Sequence, residues 1–255
     1  MIEHHLDIPT ADGAMNSFVV HPDEEGPHPV LLFYMDAPGK REELHEMARR
    51  IAAVGYCVVL PNLYYRRERE YQLKERTPEA MTQMFALMAT LNAATTECDT
   101  RALLAFVDAL PAADCTRIGA LGYCMSGPFV MWAAAAFPDR LRCIASIYGA
   151  NLVTDRPDSP HRLAGRIRCE SYFACAEIDR WASPTQVQAL QAACSAAWSG
   201  SRASNTASPS RSAAQSTTGP LPSGTGRGCS ACSDATSRPE CMRWQQCCRP
   251  SPDCA

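Results

Sequence analysis

The seven residues Leu121–Gly127, LGYCMSG, lie between an apolar run, RIGA (117–120), and a second one, PFVMWAAAAF (128–137). A buried strand that turns sharply into a buried helix needs small residues at the turn, because strand and helix pass close together there. Gly122 and Gly127 meet that need, and Ser126 is the next smallest choice. An elbow of this kind lifts the side chain at its tip, Cys124, above the sheet and sets it at a helix N-terminus. That helix end favours thiolate over thiol. The amide of Met125 would face an oxyanion forming on a carbonyl attacked by the sulfur, with a second amide near Ala37, in the loop after a strand over 28–36. Tyr123 stands beside the tip as a supporting or substrate-binding residue. These seven residues fit a nucleophile and a packed structural cysteine equally well.

The pattern continues on both sides. Short apolar runs at 28–36, 56–65, 117–124, 141–150 and 167–177 read as buried strands. Between them, residues 40–55, 78–92, 97–110, 126–137 and 183–193 read as helices. In the first of these, Leu44, Met47, Ala48, Ile51 and Ala52 recur at helical spacing and Gly55 closes the segment. Strands alternating with helices predict an α/β fold with a mostly parallel sheet covered on both faces.

The chain has 255 residues and a formal net charge of -3, which gives no reason to expect nucleic acid or an anionic membrane as partner. The N-terminal MIEHHLDIPTADG has no basic and apolar regions of a signal peptide, and no apolar run is long enough to span a bilayer. The expectation is a cytoplasmic protein, monomeric or weakly dimeric, with no metal and no cofactor.

The 14 cysteines divide into two sets. Seven, from Cys57 to Cys175, are scattered singly in apolar surroundings, as reduced core cysteines are. The other seven fall within residues 194–255, a segment with no Ile, Val, Phe, Tyr or Lys and one Leu. Such a composition buries too little apolar surface to offset chain entropy. Residues 1–193 are therefore read as the globular domain and 194–255 as a disordered tail.

Four segments in order, VLLFYMDAPG (30–39), GYCVVLPNLYYR (55–66), RIGALGYCMSG (117–127) and SYFACAEIDRWASPTQVQAL (171–190), resemble the dienelactone hydrolase family of α/β-hydrolases. The resemblance implies a small ester or lactone substrate bearing a carboxylate. It makes Cys124 the nucleophile and Asp179 the acid of a Cys-Asp-His triad, with Glu177 as the local competitor. It also implies that Asp36, after the strand at 28–36, helps set the protonation state of the thiol. Arg66 matches an arginine suited to a substrate carboxylate, although Arg67 and Arg69 beside it leave a solvated basic turn as the alternative.

The family places its histidine after the acid, and here none of His4, His5, His21, His28, His45 and His161 follows Asp179. Without a base the triad logic fails. Reading 204–237 one base earlier in the gene permits, from Asn205 on, EHGFAFPQR, then VYDR, then ERHWARLFSLFRRNL. That string carries a His-Gly-Phe segment and an amphipathic helix. The expectation is a reading frame that slips near Ala193, with the base encoded where Thr206 is now written. The rival reading, a zinc or disulfide module built on Cys229-x-x-Cys232 and Cys247-Cys248, has irregular spacing and no histidine. An out-of-frame tail would also remove the last strand and helix of the fold, exposing a sheet edge and leaving the chain marginally stable. The alternative function is an inactive relative that keeps the fold or binds a ligand.

Overall fold

The computed structural model describes residues 1–176, 179 and 181–201. Glu177, Ile178, Arg180 and residues 202–255, including the proposed base position at Thr206 and the Cys229–Cys232 pair, lie outside the described residues.

The chain opens with a hairpin for which the sequence reading had no element. Strands β1 (Ile2–Thr10) and β2 (Gly13–His21) pair antiparallel from Ile2↔His21 to Thr10↔Gly13. The two-residue loop is Ala11-Asp12, and Gly13 opens the returning strand. Gly13 takes φ 132° and the Thr10 hydroxyl donates to its carbonyl at 2.9 Å.

The remaining strands are β3 (His28–Tyr34), β4 (Cys57–Pro61), β5 (Ala113–Tyr123), β6 (Leu141–Ile147) and β7 (Glu170–Ala174). The sheet order is β1-β2-β4-β3-β5-β6-β7. The β2/β4 contact is antiparallel, and every contact from β4 to β7 is parallel. All five residues of β4 are buried, as are six of the seven in β3, so both sheet faces are covered. The covering helices are α1 (Glu42–Ala52), α2 (Pro78–Met88), α3 (Ala93–Ala109), α4 (Gly127–Ala136) and α5 (Pro184–Ser201). Local chemistry fixes their starts: Thr77 caps α2, and Asn92 with Thr95 forms a reciprocal capping box on α3.

Strand order decides where a site can form. From β3 the chain moves to β4 on one side, then crosses to β5 on the other and continues outward to β6 and β7. A crevice opens at the carboxyl ends of the strands at such a switch point. Here that switch point lies between the ends of β3 and β5, which lead into Asp36 and Cys124.

Several element boundaries differ from the sequence reading, two of them at the C-terminal side of the sheet. Helix α5 continues past Ala193 to Ser201, and Cys194 is buried within it. The helix survives there because alanines and serines replace apolar residues without breaking helical propensity. Strand β7 is shorter than expected; among the described residues it pairs with β6 alone, and Tyr172 on it is 37% exposed. No helix among the described residues is long and apolar enough to cross a membrane.

Candidate active site

Cys124 stands at the tip of the turn between β5 and α4, with φ 51°. Holding a non-glycine residue there costs on the order of 1–3 kcal/mol, a strain that concentrates at functional sites. The other non-glycine residues with positive φ among those described, Tyr148 and Asn151, follow β6 at the same edge of the sheet.

The two glycines are needed for space. A Cβ on Gly122 would lie 2.6 Å from the Ser126 carbonyl carbon, and one on Gly127 would lie 2.6 Å from Ser146 Oγ and against Gly149 Cα. The turn is also tied down. The buried Ser126 hydroxyl donates to the Met35 carbonyl at the end of β3. The Ala150 amide donates to the Cys124 carbonyl at 2.9 Å.

Cys124 is exposed, yet desolvation by the surrounding protein is the main influence raising its thiol pKa. The negative charges of Asp36 and Asp179 push the same way, and a hydrogen bond from the Met125 amide opposes them. The net direction is upward, so the helix end is outweighed, contrary to the expectation of a lowered pKa. Asp36, Asp179 and the Met125 amide thus all act on the one thiol of Cys124.

Both amides assigned to the oxyanion belong to buried residues, Met125 and Ala37. One side chain joins them: the Tyr64 hydroxyl, just after β4, donates to the Ala37 carbonyl at 2.9 Å and to Met125 Sδ at 3.2 Å. The loop carrying Ala37 is pinned further by Gly39 N–H to Asp36 O at 3.1 Å and Leu73 N–H to Pro38 O at 2.9 Å. Gly39 has φ 92°, and the Tyr71 carbonyl fills the space where its Cβ would lie. Tyr64 escaped the sequence reading, because nothing in PNLYY shows which side chain reaches Ala37 and Met125.

The remaining candidates are distributed unevenly. Asp36 is held by Arg41 through both guanidinium Nη atoms, at 2.5 and 3.0 Å. Asp179 is half-buried and accepts the Trp181 amide at 2.8 Å. Tyr123 is half-buried and packs edge-on against Phe33. Arg66 points away from the crevice chemistry and into an ion-pair cluster. Its Nη atoms reach both oxygens of the buried Asp99 at 2.7 and 3.1 Å, its Nε reaches Asp12 at 2.8 Å, and it lies over the Tyr65 ring. His161 bonds to Ser159 Oγ through Nδ1 at 2.8 Å, and its amide bonds to the Leu152 carbonyl. Among the described residues no group of three or more His, Cys, Asp or Glu side chains is placed to hold a metal.

The sheet order and the glycine-flanked strand–helix turn at the switch point define an α/β-hydrolase fold. The sequence profile of the dienelactone hydrolase family matches residues 15–199, and the chain belongs to that family. It is 26% identical over 202 residues to a protein named as a carboxymethylenebutenolidase in Methylorubrum extorquens, covering 77% of this chain and 67% of that one. It is 24% identical over 145 residues to a protein of the same name in a Synechocystis strain, covering 57% of this chain and 58% of that one. It thus spans about three fifths to two thirds of the length of these relatives. Among solved structures, a protein described as a dienelactone hydrolase from Klebsiella pneumoniae superposes with a TM-score of 0.67 at 21% identity, covering 77% of this chain and 81% of that one. A dienelactone hydrolase-like promiscuous phosphotriesterase from metagenomic libraries superposes with a TM-score of 0.62 at 18% identity, covering 77% of each chain. These two likenesses are of fold.

Proposed function

We propose that the chain is built to hydrolyse a small ester or lactone, with Cys124 as nucleophile. The observation that carries this reading is the backbone at Cys124: φ 51° between two glycines that tolerate no Cβ, with the Met125 amide directed at the sulfur. The thiolate attacks the carbonyl carbon, an S–C bond forms, and the carbonyl π electrons move to oxygen. The amides of Met125 and Ala37 hold that oxyanion. Its collapse expels the alkoxide or enolate, which takes up a proton, and leaves a thioester on Cys124. Asp179 would orient a histidine that activates water for the second half. Asp36 and Tyr123 shape the walls beside the sulfur. A carboxylate-bearing, dienelactone-like substrate follows from the family, but Arg66 already serves Asp99 and Asp12, so its fork is engaged.

The polypeptide has no histidine after Asp179. We attribute this to a slipped reading frame. The composition of residues 194–255 and the histidine-bearing string permitted one base earlier support a slip near Ala193. The codons for 202–238 decide it: codons incompatible with the shifted string rule it out. The absent base also supports a second reading, a relative that keeps the fold and does not turn over. Hydrolysis of p-nitrophenyl acetate separates the two. Steady turnover in a chain repaired by a one-base change, lost again in Cys124→Ala, supports the first reading. A repaired chain without turnover supports the second.

A further inference from the structure

The loop between β3 and α1 contains an ion pair that the hydrolytic chemistry does not use. Asp36 follows Met35, whose carbonyl accepts the Ser126 hydroxyl two residues past the nucleophile. Arg41 occupies the N-cap position of α1, where its side chain makes no cap bond. Its guanidinium reaches back instead, placing Nη1 2.5 Å and Nη2 3.0 Å from the two Asp36 oxygens, and Nη1 also donates to the Gly39 carbonyl at 3.0 Å. The two side chains are only 15% and 18% exposed. A two-pronged guanidinium–carboxylate pair fixes direction as well as charge, which an ammonium cannot reproduce.

The charged and titratable groups that influence Cys124 come from three loops. They are Asp36 after β3, Asp179 after β7 and the Tyr64 phenol after β4, with the Met125 amide on the α4 side. Both carboxylates oppose a thiolate. The counter-charge on Asp36 is fixed by geometry within the same loop that carries Ala37.

We infer that Arg41 is a positioning residue for the nucleophile: by gripping Asp36 at two points it offsets part of a negative charge beside the elbow and holds the Ala37 loop in shape while the sulfur is anionic. The inference rests on Cys124 being the reactive thiol. The bond to Gly39 and the bond to Asp36 act together, because the turn from Asp36 to Gly39 is closed by its own backbone hydrogen bond.

The test is the pH dependence of Cys124 alkylation by iodoacetamide, read peptide by peptide so that the other thiols do not contribute. In Arg41→Met the Asp36 carboxylate loses its counter-charge, so the midpoint rises. A one-unit rise slows labelling about tenfold below the midpoint, because the thiolate is the reacting form. Arg41→Lys, which disturbs the loop least, shifts the midpoint part of the way, and Asp36→Asn combined with Arg41→Met returns it to or below the parent value. Midpoints equal to the parent's in Arg41→Met, or in Arg41→Lys where the first variant does not fold, overturn the inference. Failure of the nucleophile reading looks different: p-nitrophenyl acetate then leaves no acetyl group on the Cys124 peptide of the parent, whatever the midpoints.

Discussion

Replacing Arg66 by methionine leaves the Asp99 carboxylate in the protein without its guanidinium. Asp99 has a side chain 2% exposed, bonded to Arg66 at 2.7 and 3.1 Å and to the Tyr65 hydroxyl at 2.9 Å. Burial pushes its carboxyl above the ordinary range, and the Arg66 and Tyr65 bonds pull against that. Removing one partner of a buried pair costs about 3–5 kcal/mol, since the remaining charge is uncompensated. For a domain of this size each kcal/mol lowers Tm by about 2–4 °C, so the loss is roughly 6–20 °C at pH 7. The pH dependence has a defined sign. An acid whose folded-state pKa is raised binds its proton more tightly folded than unfolded, so stability falls as pH rises from the ordinary carboxylate range to the folded value. Arg66→Met raises that value further, so its deficit in Tm narrows as pH is lowered from 7 toward 5. Thermal unfolding followed by circular dichroism measures both effects. A variant that melts with the parent at pH 7 would refute the structural assignment of Arg66 and return it to the substrate.

Gly127→Ala places a Cβ 2.6 Å from Ser146 Oγ and against the Gly149 backbone, so it costs about 1–3 kcal/mol and appears as a lower urea midpoint with an unchanged slope; an unchanged midpoint contradicts the tight elbow. Tyr64→Phe leaves the Ala37 carbonyl without its donor, which costs about 1–3 kcal/mol and slows acylation of Cys124; both are checked by melting and by the rate of p-nitrophenolate release. Because burial, then Asp36 and Asp179, raise the Cys124 thiol, its alkylation speeds up with pH through a midpoint above that of an ordinary thiol, and Asp179→Asn lowers that midpoint. An unaltered midpoint in Asp179→Asn would place the acid too far from the sulfur to orient a base there.

The parallel half of the sheet was legible because its strands are buried on both faces and read as continuous apolar runs between helical periods. The β1–β2 hairpin was not, since IEHHLDIPT faces solvent on much of its length and carries charged and histidine side chains at exposed positions. The elbow was readable from Gly122, Gly127 and Ser126, because steric need selects small residues and leaves a local trace. Long-range partners leave no such trace. Nothing in NLYYRR says that Tyr64 turns toward Cys124 while Arg66 turns toward Asp99, a residue 33 positions away. Arg41 was hidden for the same reason, because a residue at an N-cap position is read for capping and this one bonds backward. The end of α5 was placed too early because Ala and Ser carry no apolar period, although they sustain a helix.

The proposed reaction rests on Cys124 as a thiol nucleophile, and the acyl-enzyme step tests it most directly. An activated aryl ester can acylate a thiolate unaided, but the thioester needs an activated water to leave. Mixing the chain with p-nitrophenyl acetate and following both nitrophenolate and intact mass should give a burst of about one equivalent, one acetyl group on the Cys124 peptide, and little further release. The same burst and adduct in Cys124→Ala, or acetyl groups spread evenly over the other cysteines, would contradict the account.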